Sequence, residues 1–175
     1  MNLLELEICN VRGIPNLLLK PNGRNLAICG LNGSGKSAVV DSIDFLLTGQ
    51  ISRLIGEGAG EISLNKHGPH ILLKLEEANV CAIIKLPLIK EPVEIKRCMA
   101  TPGTVEIHCK AENKEWVEFI LWNAKKGQHV LTRREILKYI HAEPRSRAER
   151  IQDILNISDI EDIRRALVTV KNKAG

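Results

Sequence analysis

Residues 25–49 read NLAICGLNGSGKSAVVDSIDFLLTG, and this stretch decides the fold. Between Gly30 and Ser37 it satisfies the pattern G-x-x-x-x-G-K-S. The continuous apolar run over residues 25–30 predicts a buried strand, and the apolar spacing over residues 37–47 predicts an amphipathic helix. A strand, a glycine-rich loop and a helix in this order are the context in which the pattern binds phosphate.

The residue types in this loop are those that a phosphate site requires. Glycines let backbone amides approach phosphate oxygens closely, and the amino end of the following helix contributes a positive dipole. We therefore expect Lys36 to neutralise the β- and γ-phosphates of a nucleotide and the Ser37 hydroxyl to be a ligand of Mg²⁺. The alternative is a glycine-rich turn that binds nothing, which would have to acquire the lysine and the serine in register by chance.

Composition excludes several classes of protein. The chain has 175 residues, 44% of them hydrophobic and 26% charged, which is typical of a globular domain and excludes a disordered or collagen-like chain. The net charge of +4 is too small to indicate nucleic acid by itself. No apolar stretch approaches the roughly 20 residues that cross a bilayer, and the amino terminus carries acids where a signal peptide needs positive charge. We therefore expect a cytoplasmic protein with no membrane partner.

The five cysteines agree with a reducing compartment. They are an odd number, stand singly and form no C-x-x-C pair, which argues against a disulfide framework and a structural zinc site. We expect them to be buried, reduced thiols.

The patterns predict an α/β fold, with a single lobe over residues 1–175. Residues 1–50 hold strands, the phosphate loop and the first helix, and the glycine-rich residues 51–69 form an ordered loop. Residues 70–111 contain four short β-rich segments separated by tight turns, which predict an antiparallel subdomain. The segments span residues 70–77, 80–88, 92–99 and 104–111. Residues 112–175 have helical character.

Two further clusters have open interpretations. The aromatic and apolar residues at helical spacing after residue 113 are expected to be core: Trp116, Phe119, Ile120 and Trp122. The second cluster is basic, and it is either a DNA-facing patch or a solvated helical face with interspersed glutamates. Its members are Arg133, Arg134, Lys138, Arg145, Arg147 and Arg150.

The phosphate loop lacks the rest of a catalytic centre in this chain. A self-contained small NTPase needs a buried strand ending in an aspartate that holds the Mg²⁺ water, and none of the apolar runs ends in this way. The guanine-recognition pattern N-K-x-D is also absent from the sequence.

The segment LNGSGKSAVVDSIDFLLTG resembles the amino-terminal Walker A segment of the SMC, RecF, RecN and SbcC group of ABC-type ATPases. In these proteins N-G-[SA]-G-K-S precedes an apolar helix that contains Asp or Glu, then Ala or Ser, then Ile, as Asp41-Ser42-Ile43 does. The opening strand followed by Asn10-Val-Arg12-Gly is similar to their start, where a basic residue lies near the nucleotide. The resemblance implies a P-loop NTPase fold: the amino-terminal lobe of an ABC-ATPase head, with a mixed sheet, an antiparallel β-subdomain and helices that lead towards a coiled coil.

The resemblance also implies the site. It assigns Lys36 a catalytic role, Ser37 the metal, and ATP with Mg²⁺ as cofactors. An arginine in the loop after the first helix approaches the nucleotide in SMC heads, and Arg53 stands in that loop. The implied nucleotide-binding residues are Arg12, Asn32, Gly33, Ser34, Gly35, Lys36, Ser37, Ala38 and Arg53. The glutamine that contacts Mg²⁺ in the family is not at its usual place, since Gln128 is upstream of it and Gln152 is downstream.

Heads of this family are built from the two ends of one polypeptide. No Walker B or signature motif occurs in the sequence, so the resemblance implies that this chain is a half-site that binds ATP weakly and turns it over poorly. The implied partners are the carboxy-terminal ATPase lobe of the same protein, a second head in an ATP-bridged homodimer, DNA and a nuclease subunit. DNA repair, chromosome organisation and defence are all compatible roles. The alternatives are a complete small P-loop kinase or NTPase, and a nucleotide-sensing oligomerisation module.

Overall fold

The computed structural model describes residues 1–54, 68–69 and 74–125, with residues 129, 140–141, 143, 163–164, 167 and 170. The chain divides into two compact units, residues 1–125 and residues 126–175. Almost all described residues belong to the first unit, which contains the phosphate loop.

The first unit is built on one five-stranded sheet in which every neighbouring pair is antiparallel. Its strands are β1 (Asn2–Val11), β2 (Ile14–Leu19), β3 (Asn79–Lys85), β4 (Val93–Cys98) and β5 (Glu106–His108). The spatial order is β2-β1-β3-β4-β5. The strands predicted around residues 80–88 and 92–99 are therefore confirmed as an antiparallel pair, and they extend the sheet that β1 and β2 begin.

One face of the sheet is apolar and the other is polar, as the alternating sequence predicts. In β1 and β3 the inward residues Leu6, Ile8, Val80 and Ala82 are buried. The opposite face carries a row in which Glu7, Cys81 and Lys96 lie side by side on three strands. The apolar face is the one that receives a helix.

That helix is α1 (Lys36–Thr48), and it packs across β1, β3 and β4. Its residues Phe45, Leu46 and Leu47 belong to the same buried cluster as the inward residues of the sheet. The helix predicted over residues 37–47 is thus confirmed. A second helix, α2 (Lys114–Ala124), packs beside α1 and adds Val117 and Leu121 to the core.

The carboxyl end of α1 is closed by a buried cation. Arg97 of β4 is 3% exposed, and its Nε donates a hydrogen bond of 2.9 Å to the carbonyl of Leu46. Its Nη1 donates to the carbonyl of Pro102 at 2.5 Å. Burial lowers the pKa of this guanidinium from its ordinary value. A positive charge at this end of a helix is favourable because the last carbonyls lack intrahelical donors.

The predicted buried strand over residues 25–30 is wrong for this chain. The segment has no ladder partner among the described strands, and Leu26 is 50% exposed. It ends at Leu31, which is 84% exposed. An apolar run becomes a buried strand only when a neighbouring strand pairs with it, and no described strand lies beside this one.

Three other expectations need correction. The described end of the segment predicted as a strand over residues 70–77 is a 3₁₀ turn, Leu75–Glu77. The cysteines are not fully buried: Cys29 is exposed and the other four are half-buried.

Cys81 is one of the half-buried cysteines. Its partial burial and its hydrogen bond to Glu94 raise the pKa of the Cys81 thiol to about 12, so the thiol stays protonated at neutral pH.

The aromatic residues of α2 are also not core. Trp116, Phe119 and Trp122 are exposed, and their rings stack in series with centroid distances of 5.4 and 6.2 Å. They follow a spacing of three, while the face that packs inward follows the spacing of four between Val117 and Leu121. The predicted helices beyond residue 125 and most of the glycine-rich loop lie outside the described residues.

Gly49→Ala should destabilise the fold by about 2–4 kcal/mol, because two costs add. Gly49 ends α1 with a φ of 80°, which an L-residue adopts with strain, and a Cβ there would overlap the carbonyl oxygen of Pro102. Urea denaturation followed by circular dichroism would measure the loss. The matched control is Gly103→Ala, where a Cβ would meet no atom within 4 Å. Equal stabilities of the two variants would contradict this account of the helix end.

Candidate nucleotide-binding site

The glycine-rich loop turns sharply into α1. Gly33 and Gly35 have φ values of 83° and 87°, which are left-handed conformations that glycine adopts without a Cβ penalty. Gly35 is the residue before the first turn, and its carbonyl accepts from the amide of Ala38 at 2.9 Å. The first amides of a helix have no intrahelical acceptor, so they are available to an anion at this end.

Lys36 folds back over the loop. Its Nζ donates to the carbonyl of Gly30 at 2.8 Å and to the carbonyl of Leu31 at 2.6 Å. The ammonium is therefore held by neutral acceptors at the centre of the loop. A phosphate oxygen would be a stronger partner, because hydrogen bonds between two charged groups exceed those to a neutral carbonyl.

A pocket of about 320 Å³ opens in front of this loop. It brings together eight of the nine residues predicted to bind nucleotide, together with Gly13. Those eight are Arg12, Asn32, Gly33, Ser34, Gly35, Lys36, Ser37 and Ala38. Their roles in binding remain predictions. Arg53, the ninth, does not line the pocket.

The residues present fit a magnesium–nucleotide complex. Ser37 is an exposed residue of the pocket wall, next to the lysine that would bind phosphate. Mg²⁺ in nucleotide sites takes few protein ligands and fills its shell with phosphate oxygens and water. One hydroxyl beside a phosphate-binding loop therefore suits it, and it would help to neutralise the phosphate charge there.

Arg12 reaches the pocket from the tip of the β1–β2 hairpin. Its backbone has a φ of 52°, an uncommon conformation for a residue with a long side chain. The amide of Arg12 donates to the carbonyl of Gly68 at 2.7 Å, which fixes the turn. Such backbone strain is of order 1–3 kcal/mol and persists only where the surroundings impose it.

Asp41, on α1, links the two predicted arginines. It is 1% exposed, and its Oδ2 lies 3.4 Å from Nε of Arg12. Its Oδ1 lies 3.4 Å from Nη1 of Arg53. Burial raises the pKa of Asp41 above its ordinary value, while the positive charges of Arg53 and Arg12 limit that rise.

A second buried carboxylate holds the turn that carries Arg53. The amide of Ser52 donates to Oδ2 of Asp44 at 2.6 Å, and residues Ser52–Leu54 form one 3₁₀ turn. Arg53 therefore projects from an anchored turn towards Asp41, with about two fifths of its side chain exposed.

Sequence reasoning missed the structural roles of Asp41, Asp44 and Arg97. The signal for the first two was present, because two acids three residues apart interrupt an otherwise apolar helix. For Arg97 the signal was weak, since a cation in an alternating strand is ordinary. The candidate glutamines, Gln128 and Gln152, and all six members of the basic cluster lie outside the described residues.

Comparisons with known proteins agree with this geometry. The model of the AAA domain family matches residues 5–173. The chain belongs to the AAA domain family. No curated protein gives a significant match to the sequence.

Among solved structures, this AAA domain is similar to a chain described in "Structural biochemistry of ATP-driven dimerization and DNA stimulated activation of SMC ATPases". The TM-score is 0.63 at 21% sequence identity, over 88% of this chain and 99% of that chain. The predicted α/β P-loop fold class is confirmed, as is the predicted resemblance to the amino-terminal lobe of an SMC-like ATPase head. The parallel pairing that a mixed sheet requires is not found among the described strands, which pair only in the antiparallel sense. In the described part of this AAA domain, no helix has the length and apolar character needed to span a membrane.

Lowering the pH should stabilise the unchanged protein relative to Asp41→Asn. The pKa of Asp41 is raised in the folded state, so the folded protein binds a proton more readily than the unfolded chain does. The contribution of this group to stability is fully present below the unfolded pKa and is lost as the pH rises through the folded pKa. Asparagine cannot titrate and lacks this contribution.

Urea denaturation of both proteins at pH 7 and at about pH 4, close to the ordinary pKa of an aspartate, measures the difference, since all other titrating groups are common to the pair. The raised pKa would be contradicted if the difference in free energy of unfolding between the two proteins stays constant on acidification, or if it shifts in favour of Asp41→Asn.

Proposed function

We propose that this AAA domain binds ATP with Mg²⁺ in the pocket before α1 and hydrolyses ATP as part of an SMC- or SbcC-like head. The observation that carries the proposal is the convergence of eight predicted residues on one pocket at the amino end of a helix. Membership in the AAA domain family supports an ATPase activity. In this proposal Lys36 binds the β- and γ-phosphates and Ser37 binds the metal.

We further propose that the site is completed by other parts of a head. Support comes from the apolar segment before the loop, in which Leu26, Ile28 and Leu31 are exposed. A carboxy-terminal lobe that paired with residues 25–30 would cover these side chains, and the Walker B acid would come from that lobe. A second head, joined through ATP, would supply the signature motif.

DNA is the proposed macromolecular partner. The support is the group of arginines over residues 133–150, whose charges suit a phosphate backbone. Repair, chromosome organisation and defence are the roles proposed for such a complex, in the cytoplasm and with a nuclease subunit as a compatible partner.

Lys36→Ala should weaken the binding of a fluorescent ATP analogue with Mg²⁺ by about tenfold or more, because charge-assisted bonds to phosphate are lost. The matched control is Lys20→Ala, which removes an exposed lysine that pairs with Glu5 at 3.0 Å and does not line the pocket. Unchanged affinity in the Lys36 variant would exclude this pocket as the nucleotide site.

Steady-state ATP turnover separates the half-site from its alternatives. The chain alone should turn over ATP no faster than its Lys36→Ala variant. Sustained turnover that depends on Lys36 would favour a complete small NTPase. ATP-induced self-association without turnover, seen by sedimentation velocity, would favour the oligomerisation module.

The DNA proposal has its own test. Replacing Arg133 and Arg134 by glutamine should weaken binding of duplex DNA and flatten its salt dependence, since fewer counterions are released. Fluorescence anisotropy at several salt concentrations measures both quantities. An unchanged salt slope would assign these two arginines to a solvated helical face.

A further inference from the structure

Three charged side chains from separate parts of the first unit meet beside the pocket. Asp41 lies on α1, Arg12 at the tip of the β1–β2 hairpin, and Arg53 in the turn after α1. The two arginines are far apart in sequence, and the contact that they share is the carboxylate of Asp41. The proposed function assigns both arginines to the nucleotide and gives no role to the carboxylate that holds them.

A buried carboxylate needs compensation. Removing its charge from water is unfavourable, and ion pairs with well-placed partners offset that cost. Asp41 has two such partners: Nη1 of Arg53 donates to both of its oxygens at 3.4 Å, and Nε of Arg12 lies 3.4 Å from Oδ2. The ion pairs therefore fix the positions of the two arginine side chains and also offset the charge of the carboxylate.

The constraint falls mainly on Arg12. Its side chain is about 29% exposed, lines the pocket, and makes its ion pair within the described residues to Asp41 alone. Its Nη1 is buried and has no hydrogen-bond acceptor among those residues. The guanidinium thus has Nε beside Asp41 and a buried Nη1 without an acceptor among the described residues. The exposed part of the same side chain lines the pocket, and an anion can reach it there.

The backbone places the side chain of Arg12 at the pocket. Arg12 has a φ of 52° in the two-residue turn between β1 and β2, and turns of this length take positive φ. The bond from its amide to the carbonyl of Gly68 fixes this turn, so the side chain extends from the hairpin tip to the pocket.

We propose that Asp41 is a positioning residue, which holds Arg12 at the wall of the pocket so that the guanidinium can bind a nucleotide phosphate. Asp41 acts through Arg12 and does not touch the nucleotide. Arg53, which does not line the pocket, contacts both oxygens of Asp41 and offsets the charge of the buried carboxylate. This inference rests on the proposed function, because it requires a polyphosphate in the pocket.

A purely electrostatic role makes the opposite prediction. A carboxylate near a phosphate repels it, so removing the charge would then strengthen nucleotide binding. If Asp41 orders Arg12 instead, the same change weakens binding, because the freed guanidinium must be ordered by the ligand itself. The sign of the effect therefore separates positioning from simple repulsion.

The test is a double-mutant cycle on the affinity of a fluorescent ATP analogue with Mg²⁺. Asp41→Asn and Arg12→Ala should each weaken binding by about tenfold, the size expected for one charge-assisted contact. The double variant should bind no more weakly than Arg12→Ala, since Asp41 has nothing left to position. A merely structural role would instead give additive losses, and additive losses overturn the proposal, as does unchanged or tighter binding by Asp41→Asn.

The control is Glu94→Gln, which removes one carboxylate charge on β4, where Glu94 lies 3.6 Å from His108 and does not line the pocket. Binding should therefore stay within about twofold of the unchanged protein. An equal loss in this control would assign the effect to the net charge of the protein and overturn the proposal. If the unchanged protein shows no binding that depends on Lys36, the proposed function itself fails. If binding depends on Lys36 but has the same affinity in Asp41→Asn, this inference fails and the proposed function stands.

A measurement on the unchanged protein covers the case in which Asp41→Asn does not fold. Nε of Arg12 lies 3.4 Å from Oδ2 of Asp41, whereas Arg24 is an exposed arginine in the turn after β2. Nitrogen-edited NMR should show slower hydrogen exchange at Arg12 Nε–H than at Arg24 Nε–H. Equal exchange rates would show that the ion pair does not order Arg12, and would overturn the proposal.

Discussion

The buried pair between Arg97 and the last carbonyls of α1 fixes the element on which the phosphate loop is built. Arg97 donates to Leu46 and also to Pro102 in the turn between β4 and β5. The carboxyl end of the helix is thereby closed by protein groups. The amino end keeps its free amides beside Lys36 and Ser37, so an anion can enter at one end of α1 and not at the other.

Two carboxylates on the same helix face inward, where apolar residues would pack more simply. Asp44 binds the amide of Ser52, and Asp41 faces two arginines. Ionic groups in such places seldom add stability over a hydrophobic replacement. Their effect is geometric: they set the path of the chain after α1 and the position of the hairpin tip before the loop.

Local sequence patterns predicted the elements well where each element is stabilised within the chain itself. The spacing of Val39, Ile43 and Leu46 and the glycines before Lys36 were sufficient for α1 and its loop. Alternation was sufficient for β1, β3 and β4. The prediction of a buried strand failed for residues 25–30, because an apolar run indicates a tendency to be buried but does not identify the strand that pairs with it.

The same limit explains the errors in side-chain placement. Trp116 and Phe119 have helical spacing, but spacing alone does not say which side of α2 meets the sheet. The candidate site was predicted from residues that are expected to contact phosphate directly, and eight of the nine lie together in one pocket. Asp41 could not be assigned in this way, because its partners come from turns whose meeting point depends on the tertiary fold.

Residues 25–30 connect the fold of the chain to its candidate nucleotide site. Residues 25–30 enter directly into the turn whose carbonyls at Gly30 and Leu31 hold Lys36. Lys36 can leave those carbonyls for a phosphate only if the loop keeps its shape without them. A strand paired along residues 25–30 would fix the entry of the loop, just as Arg97 fixes the far end of α1. Burial of Leu26 and Ile28 would then favour the loop conformation in which Lys36 is free to bind phosphate. Pairing of this segment with a further strand and formation of the complete nucleotide site would then occur together.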